Sequence, residues 1–172
     1  MDSTAEGESN DTMASTRATE ALTKAAIPFE TATYAYEKVA GEIGLQAALS
    51  LGVEPALMLK TLMIETPTGG PMGGGVLALV PSDRQLDLKA MAKAAGVKKC
   101  ALMAKPLAEK TSGYVIGGIS PLGQKRALPT FIDASVEGAN HVWCNGGQRG
   151  LQIKITPADL ARATRGTFAA IT

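Results

Sequence analysis

The amino-acid sequence predicts a mixed α/β, α+β-like fold in one domain. Helical and extended patterns alternate irregularly along the 172 residues, which argues against a doubly wound parallel sheet. Two apolar runs, 56–66 and 76–81, flank a loop rich in glycine and proline and predict a β-hairpin. Hydrophobic residues make up 45% of the chain, enough for a sizeable core, and because few of them are aromatic that core is expected to be aliphatic.

The other elements follow from helix and strand signals taken in chain order. The first helix is expected within 14–26, because strong helix formers place apolar residues on one face and Pro28 closes the segment. Thr156 and Pro157 are the predicted N-cap and first-turn residues of the last helix. The predicted helices cover 14–26, 44–52, 86–96, 106–112 and 156–164, and the predicted strands lie in 29–36, 56–66, 76–81, 126–135, 141–145 and 151–156.

Residues 1–16 are expected to form a disordered acidic tail ahead of a folded domain at 17–172. The tail carries four acidic side chains and no lysine or arginine, a composition that cannot bury enough surface to become ordered. The domain then holds 17 basic and 12 acidic residues, a net charge of +5, which suits an anionic partner. No apolar run approaches the ~20 residues that span a bilayer, and the acidic N-terminus is unlike a signal peptide, so a cytoplasmic protein without membrane contact is expected.

Cysteine and histidine are too few for a metal centre. Cys100, Cys144 and His141 cannot be arranged into a zinc-ligand spacing, so we predict neither a metal nor a cofactor. His141 and Cys144 would be a catalytic pair only if their side chains met, which a three-residue spacing on a strand does not allow. Two ordinary half-buried side chains are the favoured interpretation.

Lys60 is the first candidate functional residue. It interrupts the apolar run ALMLKTLMI, where a buried strand would carry another aliphatic residue. Burying an unpaired ammonium costs several kcal/mol, so this lysine must reach water, an anion or a carboxylate. An edge-strand or snorkelling lysine is the plain structural alternative. Thr61 would lie on the opposite face of an extended segment.

Two glycine-rich segments are the next candidates. The segment 111–129 exposes backbone N–H and C=O groups that side chains do not shield, so it suits close contact with a small ligand or an anion. It lacks the residues of a P-loop or a dinucleotide fingerprint. In 145–153, glycines surround Arg149, which could reach a phosphate or a carboxylate or lie exposed on a plain turn. The glycines at 68–75 have no polar chemistry beside them and are interpreted as a hairpin loop.

Taken in order, KTL after the apolar run, SGYVIGGISPLGQKRALPTFID and the late GGQRGL resemble the YbaK/EbsC family, relatives of the editing domain inserted in bacterial prolyl-tRNA synthetases. The resemblance covers about residues 17–170, and the middle segment is highly specific. It implies a compact mixed-sheet, barrel-like core flanked by helices, with a pocket for the aminoacylated 3′ CCA end of tRNA. It further implies hydrolysis of mischarged tRNA, most of all Cys-tRNA(Pro), and contact with prolyl-tRNA synthetase; the oligomeric state stays open.

The same resemblance implies roles for individual residues. Lys60 would supply positive charge, and the backbone of Gly117 and Gly118 would orient the reacting group. A single histidine leaves no Ser-His-Asp arrangement. The resemblance implies substrate-assisted catalysis, in which the substrate's own thiol would attack its carbonyl. The implied substrate-binding residues are Tyr34, Ile43, Thr61, Ile119, Ser120, Asn145, Arg149 and Gln152.

Three of these positions depart from the family pattern. Ile43 replaces an aromatic residue, Asn145 a serine and Gln152 an aspartate. The loss of a carboxylate bears on how the substrate ammonium is held, so a deacylase for Ala-, Ser- or Thr-tRNA is the first alternative. A non-catalytic module that binds tRNA or a nucleotide is the second.

Overall fold

The computed structural model describes residues 15–38 and 42–172 as a mixed α/β domain. Most of the predicted tail lies outside the described residues, which begin at Ser15. No helix in the described part of the chain is both long enough and apolar enough to cross a membrane. The helices are α1 (Arg17–Lys24), α2 (Ile43–Leu51), α3 (Leu88–Ala95), α4 (Lys105–Ser112) and α5 (Pro157–Thr164), with 3₁₀ turns at Pro55–Leu57 and Ala134–Val136. The strands are β1 (Glu30–Thr33), β2 (Leu59–Glu65), β3 (Gly75–Pro81), β4 (Ala101–Leu102), β5 (Thr130–Asp133), β6 (Val142–Asn145), β7 (Leu151–Ile155) and β8 (Thr167–Ala169).

The strands form two sheets. The larger has the order β4-β2-β3-β5-β8, in which β3 and β5 and then β5 and β8 are parallel, and the smaller has the order β1-β7-β6, all antiparallel. A single parallel bridge between Met58 and Trp143 connects them. The mixed α/β, α+β-like class is therefore confirmed, but within the described residues the barrel-like core does not close. Closure would need a continuous ladder from β6 to β2, whereas among the described residues these two segments are joined only by the isolated Met58–Trp143 bridge.

Local sequence explains most element ends. The predicted hairpin forms from β2 and β3, with Lys60 opposite Val80. Gly52 and Gly96 end α2 and α3 in the left-handed conformation that glycine adopts without steric cost. The Thr156 hydroxyl accepts a hydrogen bond from the Asp159 amide, as expected for the N-cap of α5. The first strand is shorter than predicted: β1 ends at Thr33, and residues 34–38 continue without regular structure.

The aliphatic core lies on both faces of the central hairpin. Every residue of β3 is buried, because this strand has neighbours on both edges and packing on both faces. One face contacts a cluster around Leu22, Ile153 and Leu160, and the other contacts α3 through Met91. The first part of β2 is less completely covered, and this is where the candidate site lies.

Candidate functional site

Lys60 lies where the two sheets meet. Met58 pairs with Trp143 in a parallel bridge, so Lys60 on β2 and Asn145 on β6 both lie two residues further along and on the same face. In the antiparallel ladder, Gln152 is opposite Asn145. We call this the polar face: Lys60, Asn145 and Gln152, with Tyr34 beyond the end of β1.

The ammonium of Lys60 is half-buried and has no salt bridge within the described residues. Burial lowers its pKa, and the charges of Glu42 and Asp83, which favour the protonated form, oppose part of that change. Neither carboxylate lies within ion-pair distance. An anion brought to Lys60 would therefore stabilise its charge where the protein itself does not.

Helix α2 covers the polar face at its first turn. A Cβ placed on Gly44 would overlap the Ser82 hydroxyl and lie 3.8 Å from the Lys60 Cβ, so only glycine lets the helix approach this closely. The Ser82 hydroxyl donates to the Met58 carbonyl, 2.5 Å away, and fixes the wall of the site. Ile43, the preceding residue, reaches the glycines between α4 and β5.

The connection between α4 and β5, residues 113–129, is called the site loop. Gly117 has φ of +89°, and a Cβ there would lie 2.9 Å from the Tyr36 hydroxyl and 3.4 Å from both Arg149 Nε and Ile43 Cδ1. A Cβ on Gly118 would lie 3.0 Å from the backbone of residues 148 and 149. The backbone of the GGIS segment therefore packs directly against its neighbours, so that peptide groups rather than side chains lie beside Ile43 and Tyr36.

Asn145 ties the site loop to the turn before β7. Its amide Nδ2 donates to the Gly117 carbonyl at 3.1 Å, and its Oδ1 accepts from the Gly147 amide at 2.7 Å. Arg149, on the same turn, donates from Nε to the Ile116 carbonyl at 3.0 Å. The structure thus brings Gly117, Gly118, Ile43, Asn145 and Arg149 together.

Tyr34 and Gln152 form a neutral polar pair in the interior. Burial raises the pKa of the Tyr34 phenol, and the neighbouring Gln152 carboxamide lowers it by less. The two side chains do not meet hydrogen-bond geometry, so Tyr34 Oη and Gln152 Oε1 are buried without a hydrogen-bond partner among the described residues. Gln152 is only 4% exposed. Unpaired buried polar atoms are costly, which marks this pair as a place for a ligand group.

Three predicted binding residues lie apart from this cluster. Thr61 is on the opposite face of β2 from Lys60, as expected for an extended segment, and its buried Oγ1 has no hydrogen-bond partner in the described chain. Ile119 packs on a core cluster that contains Met63. Ser120 is fully buried, and its hydroxyl accepts from the Leu122 amide in a local turn at 3.2 Å.

The thiol of Cys144 is unsuited to nucleophilic chemistry. Cys144 is fully buried, and burial raises the pKa of its thiol to about 12. The reactive form of cysteine is the thiolate, which is scarce at neutral pH when the pKa is raised in this way. His141 is only partly buried and directly precedes the strand that contains Cys144.

Sequence reasoning missed two residues that pack at the site, Tyr36 and Ser82, and two whose charges act on Lys60, Glu42 and Asp83. Tyr36 carried a signal, since it follows Tyr34 with the spacing of one strand face, but its contact with Gly117 depends on packing of distant segments. Glu42 and Asp83 carried no sequence signal beyond their position beside predicted elements.

Comparison with known proteins connects this geometry to a family. The family model described as the aminoacyl-tRNA editing domain matches residues 42–163. A protein of Enterococcus faecalis named as a candidate Cys-tRNA(Pro)/Cys-tRNA(Cys) deacylase, EbsC, is 38% identical over 125 residues, which is 73% of this chain and 74% of that protein.

Solved structures share the fold at lower identity. A candidate trans-editing enzyme for prolyl-tRNA synthetase matches with a TM-score of 0.78 at 23% identity, covering 91% of this chain and 94% of its own. A hypothetical protein matches with a TM-score of 0.78 at 21% identity, covering 91% and 99%. The resemblance found in the sequence is confirmed, and the chain belongs to the aminoacyl-tRNA editing domain family.

Proposed function

We propose that this protein is a trans-editing hydrolase that removes a wrongly attached amino acid from tRNA, with Cys-tRNA(Pro) as its main substrate. The observation that supports this most directly is the half-buried Lys60 ammonium, which lacks a salt bridge among the described residues and shares the polar face with Asn145. Family membership supplies the reaction class, and the relative named as a Cys-tRNA deacylase supplies the substrate.

Lys60 acts as the electrostatic group of the reaction. Cleaving an aminoacyl ester places negative charge on the carbonyl oxygen as the tetrahedral intermediate forms. A positive charge that is already in place stabilises that oxygen without reorganisation. The ammonium is partly desolvated, so its interaction with a developing oxyanion is stronger than it would be in water. The backbone of Gly117 and Gly118, tied to the polar face by the hydrogen bond from Asn145 to the Gly117 carbonyl, orients the acyl group.

The nucleophile is supplied by the substrate. Two nucleophilic side chains considered in this chain are unsuited, because Cys144 is fully buried and Ser120 is both fully buried and apart from the polar face. In cysteinyl-tRNA the thiol sulfur attacks its own carbonyl carbon, the ester C–O bond breaks, and the thiol proton passes to the leaving 3′ oxygen. Water then opens the cyclic thioester to free cysteine. Holding thiol and carbonyl together is a proximity effect.

The amino group of the substrate fits the Tyr34–Gln152 pair. Gln152 Oε1 is a buried acceptor without a donor in the described chain, and an α-ammonium is a donor. Because the pair is neutral, it also accepts a small hydroxyl or thiol group. This observation favours Ser- or Thr-tRNA as the alternative substrate, whereas Ala-tRNA is an alternative that it does not support. The alternative from a different functional class is a module that binds tRNA or a nucleotide without catalysis.

The test is ester hydrolysis by the wild type and by Lys60→Met, which keeps the length of the side chain and removes its charge. The substrates are Cys-, Ala-, Ser- and Pro-tRNA(Pro). Wild type should release cysteine fastest, and Lys60→Met should lose on the order of 100- to 1000-fold in kcat. The matched control is Lys93→Met, an exposed lysine on α3, which should retain activity.

Each outcome has a definite meaning. Preference for another aminoacyl group would replace the cysteinyl substrate but keep the site. Binding of tRNA without hydrolysis of any ester would refute the enzyme and leave the binding module.

We further propose that the protein acts in the cytoplasm, where prolyl-tRNA synthetase generates the mischarged substrate.

A further inference from the structure

Tyr36 and Arg149 form a stacked pair at the rim of the site. Arg149 Cζ lies 5.4 Å from the centre of the Tyr36 ring, and Arg149 Nε donates to the Ile116 carbonyl at 3.0 Å. The guanidinium is therefore held at two points although the residue is exposed. An arginine held in this way has less conformational freedom to lose when it binds an anion.

The terminal nitrogens of Arg149 are unused. Within residues 15–38 and 42–172, Nη1 and Nη2 make neither a hydrogen bond nor a salt bridge. Other arginines differ: Arg126 donates from Nη2 to the Gly73 carbonyl at 2.7 Å, and Arg162 binds the Asp159 carboxylate. The free edge of Arg149 presents parallel N–H groups, the geometry that matches two oxygens of a phosphate.

The substrate determines which anion lies there. An aminoacyl ester has no free carboxylate, so the negative charge nearest to the acyl group is the phosphodiester on the 5′ side of the terminal adenosine. Gly117 lies against both Arg149 Nε and Ile43, so an anion at Arg149 is adjacent to the loop assigned to the acyl group. The two subsites are therefore neighbours in the protein, as the ester and phosphodiester are in the RNA.

We infer that Arg149 clamps the phosphodiester of the 3′-terminal adenylate and that Tyr36 is the positioning residue that holds Arg149 ready. This inference rests on the proposed function and adds the part of the tRNA that the rim recognises. Tyr36 acts through its ring face, because its hydroxyl makes no hydrogen bond within the described residues. A phenylalanine should therefore replace it, whereas an aliphatic residue should not.

The experiment measures binding of uncharged tRNA(Pro) by fluorescence anisotropy, with and without the 3′-terminal adenylate, over about 50 to 200 mM salt. Arg149→Gln should weaken binding of the complete tRNA about tenfold and lower the slope of log Kd against log salt by about 0.7. On the truncated tRNA the same substitution should have no effect. Arg162→Gln, an exposed arginine on α5 that is anchored on the Asp159 carboxylate, is the matched control and should leave both values unchanged.

The Tyr36 variants test positioning. Tyr36→Phe should behave as the wild type. Tyr36→Leu should weaken binding of the complete tRNA while Arg149 is still present, and Arg149→Gln should add little to it. Melting temperatures establish that each variant is folded, and Arg149→Lys, which keeps the charge without the planar fork, provides a second measure at that position.

Binding and hydrolysis can fail separately. If the wild type hydrolyses mischarged tRNA but Arg149→Gln keeps wild-type affinity and salt slope, the clamp is wrong and the proposed function stands. An equal loss on complete and truncated tRNA also overturns it, since the contact would then lie elsewhere on the RNA. If the expected binding pattern is found without hydrolysis, the clamp stands and the proposed enzyme does not.

Discussion

The site loop (113–129) and the hairpin loop between β2 and β3 (66–74) are both rich in glycine, but they use it differently. In the hairpin loop a Cβ on Gly69 would meet nothing within 4 Å, those on Gly73 and Gly74 would make ordinary contacts at 3.5 and 3.6 Å, and one on Gly70 would lie 3.2 Å from the Pro67 carbonyl oxygen of the same turn. In the site loop, a Cβ on Gly123 would overlap the Arg17 backbone, and one on Gly118 would lie 3.0 Å from the backbone of residues 148 and 149, both in distant segments. Glycine serves turn conformation in the first loop and close approach in the second.

This difference separates a loop that closes a hairpin from one that builds a site. The backbone conformation of a turn depends only on the residues of the turn itself, and several residue types adopt it with little loss of stability. Close approach depends on another segment: Arg17 for Gly123, the 148–149 turn for Gly118 and Tyr36 for Gly117. Alanine substitutions at glycines of similar φ, one in each loop, can therefore separate the effect of turn conformation from the effect of close approach.

Gly123→Ala should give the largest effect. Gly123 has φ of +64°, and its Cβ would overlap the Arg17 carbonyl oxygen and lie 2.5 Å from the carbonyl carbon, at the start of α1. The Arg17 backbone cannot move aside as a side chain can, so steric overlap adds to the strain of an alanine at positive φ. Together the two effects should lower the free energy of unfolding by about 3 kcal/mol. Urea unfolding measures it.

The control for this change is Gly73→Ala, which has the same φ of +64° but only Arg126 Nη2 nearby, at 3.5 Å. It should cost about 1 kcal/mol, the strain alone. Equal losses in the two variants would mean that close approach adds nothing at Gly123. The larger loss should also reach the site, because Thr16, the N-cap of α1, donates to the Gly146 carbonyl at 2.5 Å.

Gly117→Ala should affect activity more than stability. Its Cβ would meet the ends of the Tyr36, Arg149 and Ile43 side chains, which can move, so the loss of stability should be about 1 to 2 kcal/mol. Moving these side chains displaces the proposed acyl wall, so kcat/KM for Cys-tRNA(Pro) should fall at least about tenfold, as expected when positioning is disturbed.

The matched control is Gly74→Ala. It has φ of +101°, and a Cβ there makes ordinary contact with Thr68 at 3.6 Å. Its stability should fall by a similar amount while kcat/KM is unchanged. If both variants lost activity in proportion to stability, Gly117 would have no specific place in the site.

The comparison also shows which features the sequence could predict. Thr156 was correctly predicted as an N-cap, and the predicted helix ranges 44–52 and 86–96 correctly end at the glycines that cap α2 and α3, because capping depends on a few consecutive residues. The β2–β3 hairpin was correct for the same reason. The strands β4 and β8 were not predicted, because two or three residues carry no periodicity and pair only at the edges of a sheet already formed.

The candidate site was predicted unevenly. Lys60 was identified because a charged residue interrupts an apolar run. In the structure its ammonium is half-buried, and burial lowers its pKa. Tyr36 was missed because it contacts Gly117 and Arg149, far away in the sequence. The roles of all these residues stay predictions until the variants are measured.

Tyr114 provides the smallest and most local test of how the site loop differs from the hairpin loop. Its hydroxyl donates to the Leu122 carbonyl at 2.5 Å and so closes the loop on itself. Burial raises the pKa of Tyr114 to about 12, with Arg17 opposing part of the change. Tyr114→Phe removes this hydrogen bond and should cost about 1 kcal/mol at neutral pH.

The pH dependence gives this test its specificity. The folded-state pKa of about 12 is above the ordinary value of 10.0, so the stabilisation by Tyr114 is complete below pH 10 and is lost as the pH rises through 12. Urea unfolding from pH 8 to pH 12 should therefore show a smaller alkaline loss for Tyr114→Phe than for the wild type. The Cys144 thiol, whose pKa is also raised to about 12, titrates in both proteins, and its charge contributes to raising the pKa of Tyr114. Parallel curves would mean that the Tyr114 hydroxyl is free to ionise in the folded protein, and its hydrogen bond to Leu122 would then contribute nothing to holding the site loop.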